Sequence, residues 1–428
     1  MNFNEVFYFY FMKIEELYSL YITHGLVDTD TRTIRKNTLF FALKGENFNG
    51  NKFAEEAITN GASYAIIDEA DYKTSEKLIL VDNVLETLQK LANHHRNQLG
   101  IPVIALTGSN GKTTTKELIN SVLSKKYKTT ATLGNLNNHI GVPLTLLSMN
   151  KNTEVGIVEM GANHAKEIEF LSEIANPDYG YITNFGSAHL EGFGSLEGVV
   201  KAKSELYDYL RAKNKKVFVN PNDEKQIAKT KDIESITFDE SIKFIEANPF
   251  VKLSYNNTEI LSNLIGAYNF ANISAAITIG NYFNVTTELI KEAIESYVPS
   301  NNRSQVINTK TNRIILDAYN ANPTSMKAAL ESFSKLQANN KTIILGDMFE
   351  LGKYSSNEHQ SIVNFIKELN LDEAFLIGEN FYKTTTKYKR FNGFYEFEEY
   401  IKNNQIESST ILVKGSRGMA LERVVALF

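Results

Sequence analysis

The chain has 428 residues, 43% of them apolar and 22% charged, with a formal net charge of −5. That length and composition suit roughly two to four soluble domains with sizeable cores. The mild charge gives no argument for nucleic acid or an anionic membrane as partner, and zero cysteines exclude disulfides, thiolate metal sites and a cysteine nucleophile; a reducing cytoplasm fits.

In chain order, Met1 to Phe11 is rich in aromatics, too short to span a bilayer, and lacks a signal-peptide n-region. Met12 is the expected translation start, with residues 1–11 an extension. Residues 13–98 read as a small α/β domain. A strand over Thr38 to Leu43 leads into a Gly-rich turn, then a helix over Lys52 to Asn60, a Gly61 stop and a strand over Tyr64 to Ile67. Basic residues beside a Gly turn can hold a diphosphate, though such charges are more often plain solvated surface. His94 and His95 sit on the following helix and are expected to be exposed and non-functional.

Ile101 to Leu106, five of six residues apolar, reads as a buried parallel strand. Thr107-Gly108-Ser109-Asn110-Gly111-Lys112-Thr113-Thr114 follows at once. Gly108 and Gly111 let backbone N–H groups turn inward around phosphate oxygens, Lys112 adds a point charge, and the Thr113 hydroxyl suits Mg²⁺. A helix over Lys116 to Leu123 aims its positive end at the same anion. An ordinary Gly-rich turn explains neither the Lys-Thr pair nor the flanking strand and helix. Only Ser109 and Asn110 separate the two glycines, fewer than in the common phosphate loop.

Strands and helices then alternate to about residue 298, as in a mostly parallel sheet. Gly134 to Pro143 is an amide-rich loop entering a helix at Pro143. The strand Val155 to Val158 ends in Glu159, a carboxylate placed to hold Mg²⁺. The strand Tyr179 to Ile182 leads towards His189, beyond a strand end, where open α/β sheets keep ligands. On the helix Val199 to Leu206, Lys201 and Lys203 point to different faces. Gly266 to Asn272 opens a small-residue helix. Past Val298-Pro299 lies a third α/β unit. Asp317 after the strand Ile314 to Leu316 can take ribose hydroxyls, and the asparagines of Tyr319-Asn320-Ala321-Asn322 can bind amide or carboxylate groups. Gly346 to Gly352 and Lys414 to Arg417 also follow strands, so these polar clusters are expected to converge on one cleft. There is no internal repeat or low-complexity linker.

The string TGSNGKTT resembles the Mur ligases and the related folylpolyglutamate synthetases, and further strings carry that resemblance over residues 13–428. It implies three α/β domains: 1–98 binding a UDP-sugar, 99–298 binding ATP on a mostly parallel sheet, and 299–428, Rossmann-like, taking the amino-acid acceptor and closing over ATP. TDTR and LFFALKGENFNGNKF imply that Thr31, Arg32 and Lys44 contact the UDP-muramoyl substrate. GNLNNHIGVP is similar to a motif lining the substrate cleft, with Asn135, Asn137 and Asn138. The loop Thr107 to Thr114 would hold the triphosphate. Thr113 and Glu159 would hold one Mg²⁺. His189, in NFGSAHLEGFGS, and a carbamylated Lys203, in the family's Ala-Lys pair, would hold a second. Asn269 matches an adenine-contacting asparagine, with Tyr268 standing where the family pattern has histidine. Arg303 and Asp317 would also face ATP.

The strings DAYNANPTS, GDMFELG and VKGSR resemble the family member that adds the last amino acids, and they assign Tyr319, Asn320, Asn322 and Lys414 to substrate. The implied activity is ATP-driven joining of D-alanyl-D-alanine to UDP-N-acetylmuramoyl-tripeptide in peptidoglycan synthesis. It would proceed through an acyl phosphate, in a cytoplasmic monomer with no nucleic-acid or membrane partner. Lys112, Glu159, His189 and Lys203 would carry the chemistry. The alternatives are the preceding ligase of the pathway, whose DNPR motif is absent, and a nucleotide-hydrolysing switch.

Overall fold

The computed structural model describes residues 12–338, 340–371 and 373–428, so the reading of residues 1–11 as an extension lies outside the described residues. The chain divides into two compact units. The first comprises residues 1–105, 128–160 and 170–178; the second comprises 106–127, 161–169 and 179–428. Among the described residues no helix is long and apolar enough to cross a membrane.

In the first unit, four strands pair in parallel in the order Val27–Asp28, Leu39–Phe41, Tyr64–Ile67, Leu78–Leu80. Phe40, Ala65, Ile67, Leu78 and Leu80 supply part of a core closed by Ala54 and Ala57 of the helix Ala54–Thr59. That helix is shorter than expected, because Gly50–Phe53 forms a 3₁₀ turn first, with Asn49 Oδ1 accepting from the Asn51 N–H. The helix Val84–Leu99 is capped by Asn83 and ends at Gly100, which takes φ 63°. His95 on it is not exposed: it is 2% accessible, and its Nε2 lies 2.9 Å from the Met149 carbonyl. Helical spacing puts His95 on the same side as Leu88, Leu91 and Ala92, so the core claims it; His94 is half-buried. In the same unit Thr129–Ala131 pairs in parallel with Val155–Glu159, and the helix Gly141–Ser148 follows the amide-rich loop.

In the second unit, Tyr179–Ile182, Lys216–Val219 and Ser235–Thr237 pair in parallel. The expected run of alternating strands and helices is interrupted here by an antiparallel sheet of Lys243–Ala247, Phe250–Tyr255 and Thr258–Ile265. Its middle strand alternates, burying Val251, Leu253 and Tyr255. The C-terminal sheet runs Gln305–Asn308, Arg313–Asp317, Thr410–Lys414, Lys341–Gly346, Glu373–Ile377, Lys389–Phe391. Only its first strand is antiparallel. Period-2 alternation sends Ile315, Ile343, Leu345, Leu376 and Leu412 to one face, under Met326, Leu330 and Phe333 of the helix Pro323–Lys335. Ile314, Leu316, Ile344, Ile411 and Val413 go to the other, against Phe397, Ile401, Leu421 and Val424. Both faces are therefore covered, as a parallel sheet requires. The C-terminal strand ends, with Asp317 in register beside Lys414, share one edge.

Candidate active site

The strand Val103–Thr107 delivers its last residue, a buried Thr107, into the glycine loop. Gly108 takes φ 144° and Gly111 φ 78°, conformations that side-chain-bearing residues avoid. A Cβ on Gly108 would also lie 2.0 Å from Thr183 Oγ1. The helix starts at Lys112, four residues earlier than expected, so its positive N-terminus is part of the loop itself. Thr113 is buried in its first turn and Thr114 half-buried. Asn184 splints the loop: its carbonyl accepts from Ser109 N at 3.0 Å, its Oδ1 from Asn110 N at 3.1 Å, and its Nδ2 donates to Asn110 O at 2.9 Å. Thr183 Oγ1 donates to the same oxygen at 2.6 Å, and Ser109 Oγ donates to Gly186 O at 2.8 Å. Lys112 Nζ folds back onto Gly108 O at 2.8 Å and Ser109 O at 3.4 Å, so the ammonium is held against the loop. Beside it lies a cleft of about 500 Å³ lined by Thr183, Asn184, Phe185, Asp223, Tyr268 and Asn272 among others, a size typical of small-molecule sites.

Asn269 is 2% exposed, and both ends of its amide are engaged: Nδ2 donates to Ile265 O at 2.8 Å and Oδ1 accepts from Asn272 Nδ2 at 2.8 Å. Asn272 in turn accepts from Thr115 Oγ1 at 3.1 Å, tying this helix to the loop's helix, and it is Asn272 that reaches the cleft. Tyr268 donates to or accepts from Ser304 Oγ at 3.0 Å.

Lys203 lies on the helix Leu196–Ala212, which Ser195 caps. It is 1% exposed, whereas Lys201 is exposed, as their separate faces require. Its Nζ donates to Ala162 O at 3.0 Å and sits 5.2 Å from the centre of the Phe193 ring. Burial, and then the nearby Lys112, push its pKa well below the usual lysine value; Glu167 and Glu205 oppose this. His189 Nδ1 lies 2.5 Å from Glu350 Oε2. Asp317 Oδ2 pairs with the buried Lys414 at 2.5 Å, and its Oδ1 accepts from Ser304 N at 3.2 Å. Arg303 stacks 3.6 Å over Tyr319. Asn320 is exposed, its Oδ1 accepting from Ala321 N at 2.8 Å. Asn322 caps the helix Pro323–Lys335 and donates Nδ2 to Asn110 Oδ1 at 2.7 Å, joining the third-domain string directly to the phosphate loop. Asp347 does not join this group. It is buried and caps the turn at Asn380 and Phe381.

In the first unit, Glu159 is 1% exposed, with Oε1 accepting from Asn137 Nδ2 at 2.8 Å and its N–H donating to Thr132 Oγ1 at 3.0 Å. Asn138 Oδ1 accepts from Ile140 N and Gly141 N, shaping the helix start, and Asn135 is exposed. The exposed Arg32 forks onto Asp30 at 2.6 Å; Lys44 pairs with Asp68 at 3.0 Å and Glu69 at 3.4 Å. Thr31 is half-buried. Among the described residues no group of three or more His, Asp or Glu is arranged to hold a metal. Mg²⁺ on a triphosphate draws most of its ligands from phosphate and water. Glu159 in the first unit offers a buried carboxylate, and Thr113 in the second a loop hydroxyl, each an oxygen donor of the kind Mg²⁺ takes. Asn184, Asn272 and Glu350 were not singled out from sequence. Asn184 was findable as the amide just past a strand end.

A glycine loop splinted between a strand end and a helix N-terminus defines a phosphate-loop ATP-binding α/β protein. The Mur ligase family, catalytic domain, matches residues 24–96, the Mur ligase middle domain 106–280, and the Mur ligase, glutamate ligase domain 302–417. The chain is 36% identical to the UDP-N-acetylmuramoyl-tripeptide--D-alanyl-D-alanine ligase of Bacillus subtilis, covering 95% of this chain and 93% of that one. It resembles the solved MurF of Acinetobacter baumannii (TM-score 0.84, 32% identity, 94% and 92% covered). It also resembles the MurF ligase of Thermotoga maritima in complex with ADP (0.83, 25%, 95% and 97%). The chain belongs to the Mur ligase family, with that family's three-domain α/β architecture.

Proposed function

We propose that the chain is an ATP-dependent ligase that joins D-alanyl-D-alanine to UDP-N-acetylmuramoyl-tripeptide, building a peptidoglycan precursor. The observation that carries this reading is the Asn322–Asn110 hydrogen bond. It ties the string that resembles the dipeptide-adding ligases to the phosphate loop, and acyl transfer needs acceptor and γ-phosphate side by side. The tripeptide carboxylate attacks the γ-phosphate, the bond to ADP breaks, and an acyl phosphate forms. The dipeptide amine then attacks the acyl carbon, loses a proton, and phosphate leaves.

Lys112 and the N-terminus of the helix Lys112–Leu123 stabilise the charge on the transferring phosphoryl group. Bound Mg²⁺ supplies further neutralisation of the triphosphate. Thr113 offers a hydroxyl ligand and Glu159 a carboxylate; His189 and a carbamate on Lys203 offer a second set. The burial of Lys203, which pushes its pKa down, supports that carbamate, because only the uncharged nitrogen reacts with CO₂. Thr31, Arg32 and Lys44 in domain 1–98 receive the UDP-sugar, Arg32 and Lys44 exchanging their present carboxylate partners for phosphate. Asn135, Asn137 and Asn138 face the peptide. Arg303 and Asp317 serve the nucleotide within 299–428, and within 99–298 Asn269 serves it through Asn272, which it holds at the cleft. Tyr319, Asn320, Asn322 and Lys414 serve the acceptor, over which the third domain closes to exclude water. The reading is of a monomer, placed in the cytoplasm where ATP is supplied.

The test is mass spectrometry of the product after incubation with ATP, Mg²⁺, D-alanyl-D-alanine and UDP-tripeptides carrying lysine or diaminopimelate. The dipeptide adduct is expected, with single D-alanine a poor acceptor. A preference for diaminopimelate with a UDP-dipeptide would move the chain to the preceding step.

A further inference from the structure

The linker that enters the third domain is held from two sides. On the acceptor side, Tyr319 N donates to Asn302 O at 3.2 Å and Ser304 N donates to Asp317 Oδ1 at 3.2 Å, which ties residues 302–304 to a strand end. On the nucleotide side stands Tyr268, whose hydroxyl is hydrogen-bonded to Ser304 Oγ at 3.0 Å. Among the described residues no other side chain of 179–298 hydrogen-bonds residues 302–304. Asn301, Asn302 and Ser304 take left-handed backbones at φ 58°, 57° and 49°. Asparagine tolerates that region; serine is less at ease in it, and the buried Ser304 is kept there by bonds from both its N–H and its hydroxyl. Tyr268 is 38% exposed and lines two hollows. One is the cleft of about 500 Å³ beside the phosphate loop, where a Cβ on Gly111 would lie 2.7 Å from Asn272 Oδ1. The other is walled by Ile315, Ala329 and Phe333 of the third domain. Gly266, at φ 92°, makes room for the ring: a Cβ on it would lie 2.4 Å from Tyr268 Cε1.

We propose that Tyr268 is a positioning residue that couples nucleotide occupancy to the third domain. A nucleotide packed in the cleft restricts the Tyr268 side chain; its hydroxyl then holds Ser304 and, through Ser304, Asp317. The inference deepens the proposed function, resting on the cleft as the ATP site. Asp317 Oδ2 in turn pairs with Lys414, so the path from the cleft to the acceptor-side strand ends is Tyr268, Ser304, Asp317, Lys414. An imidazole, the group of the family pattern at this position, is shorter than a phenol, so the reach to Ser304 belongs to tyrosine. Ordering one side chain on the nucleotide side lowers the entropy cost of ordering the linker bonded to it, and that is a coupling between two sites.

The experiment is hydrogen exchange of the full chain with and without ADP, read by mass spectrometry on peptides covering residues 300–305, with calorimetry of ADP binding on the same samples. In wild type, ADP is expected to slow exchange there about 5-fold or more, the lower end of ordinary coupling between sites. Tyr268→Phe keeps the ring and loses only the hydroxyl. It is expected to bind ADP as wild type does and to lose the slowing. Ser304→Ala removes the other oxygen of the same bond and is expected to lose the slowing equally, the double variant no further. In the ligation assay Tyr268→Phe is expected to lose about 5-fold in kcat with the KM for ATP unchanged. A bond with a purely structural role would protect the linker to the same degree with and without ADP. Slowing that survives in Tyr268→Phe, or none in wild type that binds ADP, would overturn the inference and leave the proposed function standing. Absence of ADP binding by wild type would refute the nucleotide cleft, and the proposed function and the inference with it.

Discussion

Replacing Lys203 separates its nitrogen from its stem. The side chain is 1% exposed, its nitrogen touching Ala162 O and lying above Phe193. Lys203→Ala deletes a buried four-carbon stem, which in cores costs about 2–5 kcal/mol. Lys203→Met keeps the volume, so its folding cost is expected to stay below about 1.5 kcal/mol. Both variants lose the nitrogen, and if it carries a catalytic carbamate both lose at least about 100-fold in kcat. Formate or acetate should restore part of the activity of Lys203→Ala, which has room for it, and none of Lys203→Met.

The nitrogen also predicts a pH effect. The folded pKa lies well below 10.5. Between the two values the unfolded chain holds a proton that the folded chain does not. Stability from this group therefore rises with pH towards 10.5 and is lost as pH falls. The limiting slope is about 1.4 kcal/mol per pH unit. In CO₂-free buffer the wild-type unfolding midpoint should rise relative to that of Lys203→Met as pH is raised towards 10.5. Lys201→Ala, on the exposed face, should stay within about 0.5 kcal/mol by either measure. Equal losses at the two lysines, or full activity of Lys203→Met, would refute the reasoning.

Gly108→Ala should abolish nucleotide binding, measured by calorimetry with ADP, because its Cβ would meet Thr183 Oγ1 at 2.0 Å and the backbone sits at φ 144°. Arg96→Met should lower stability by about 3 kcal/mol in thermal unfolding. Arg96, 5% exposed, serves Asp178 at 2.7 Å and the carbonyls of Ala175 and Asn176, and its loss leaves those acceptors unpaired.

The elements legible in sequence were those with strong local signals. The apolar run before Gly108, the glycines themselves and the strand ends at Glu159 and Asp317 all lie where periodicity put them. The helix begins one turn before its apolar spacing does, because Lys112 to Thr115 lack that spacing even though Gly111 already closes the loop. The burial of His95 was hidden because a polar residue enters a core when its ring nitrogen finds a carbonyl, here Met149 O, 54 positions away. The carboxylate partners of Arg32 and Lys44, the splint at Asn184 and the contact of His189 with Glu350 likewise depend on tertiary pairing that no local pattern records. The alternation of Phe250–Tyr255 was readable, but its antiparallel neighbours interrupt an otherwise parallel scheme.

The most direct test of the central claim is phosphate release measured with each substrate withheld in turn. A ligase working through an acyl phosphate releases phosphate steadily only when ATP, UDP-N-acetylmuramoyl-tripeptide and D-alanyl-D-alanine are all present, with one amide formed per phosphate. Steady ATP hydrolysis that ignores the dipeptide and the UDP-substrate would mark a nucleotide switch and contradict the account.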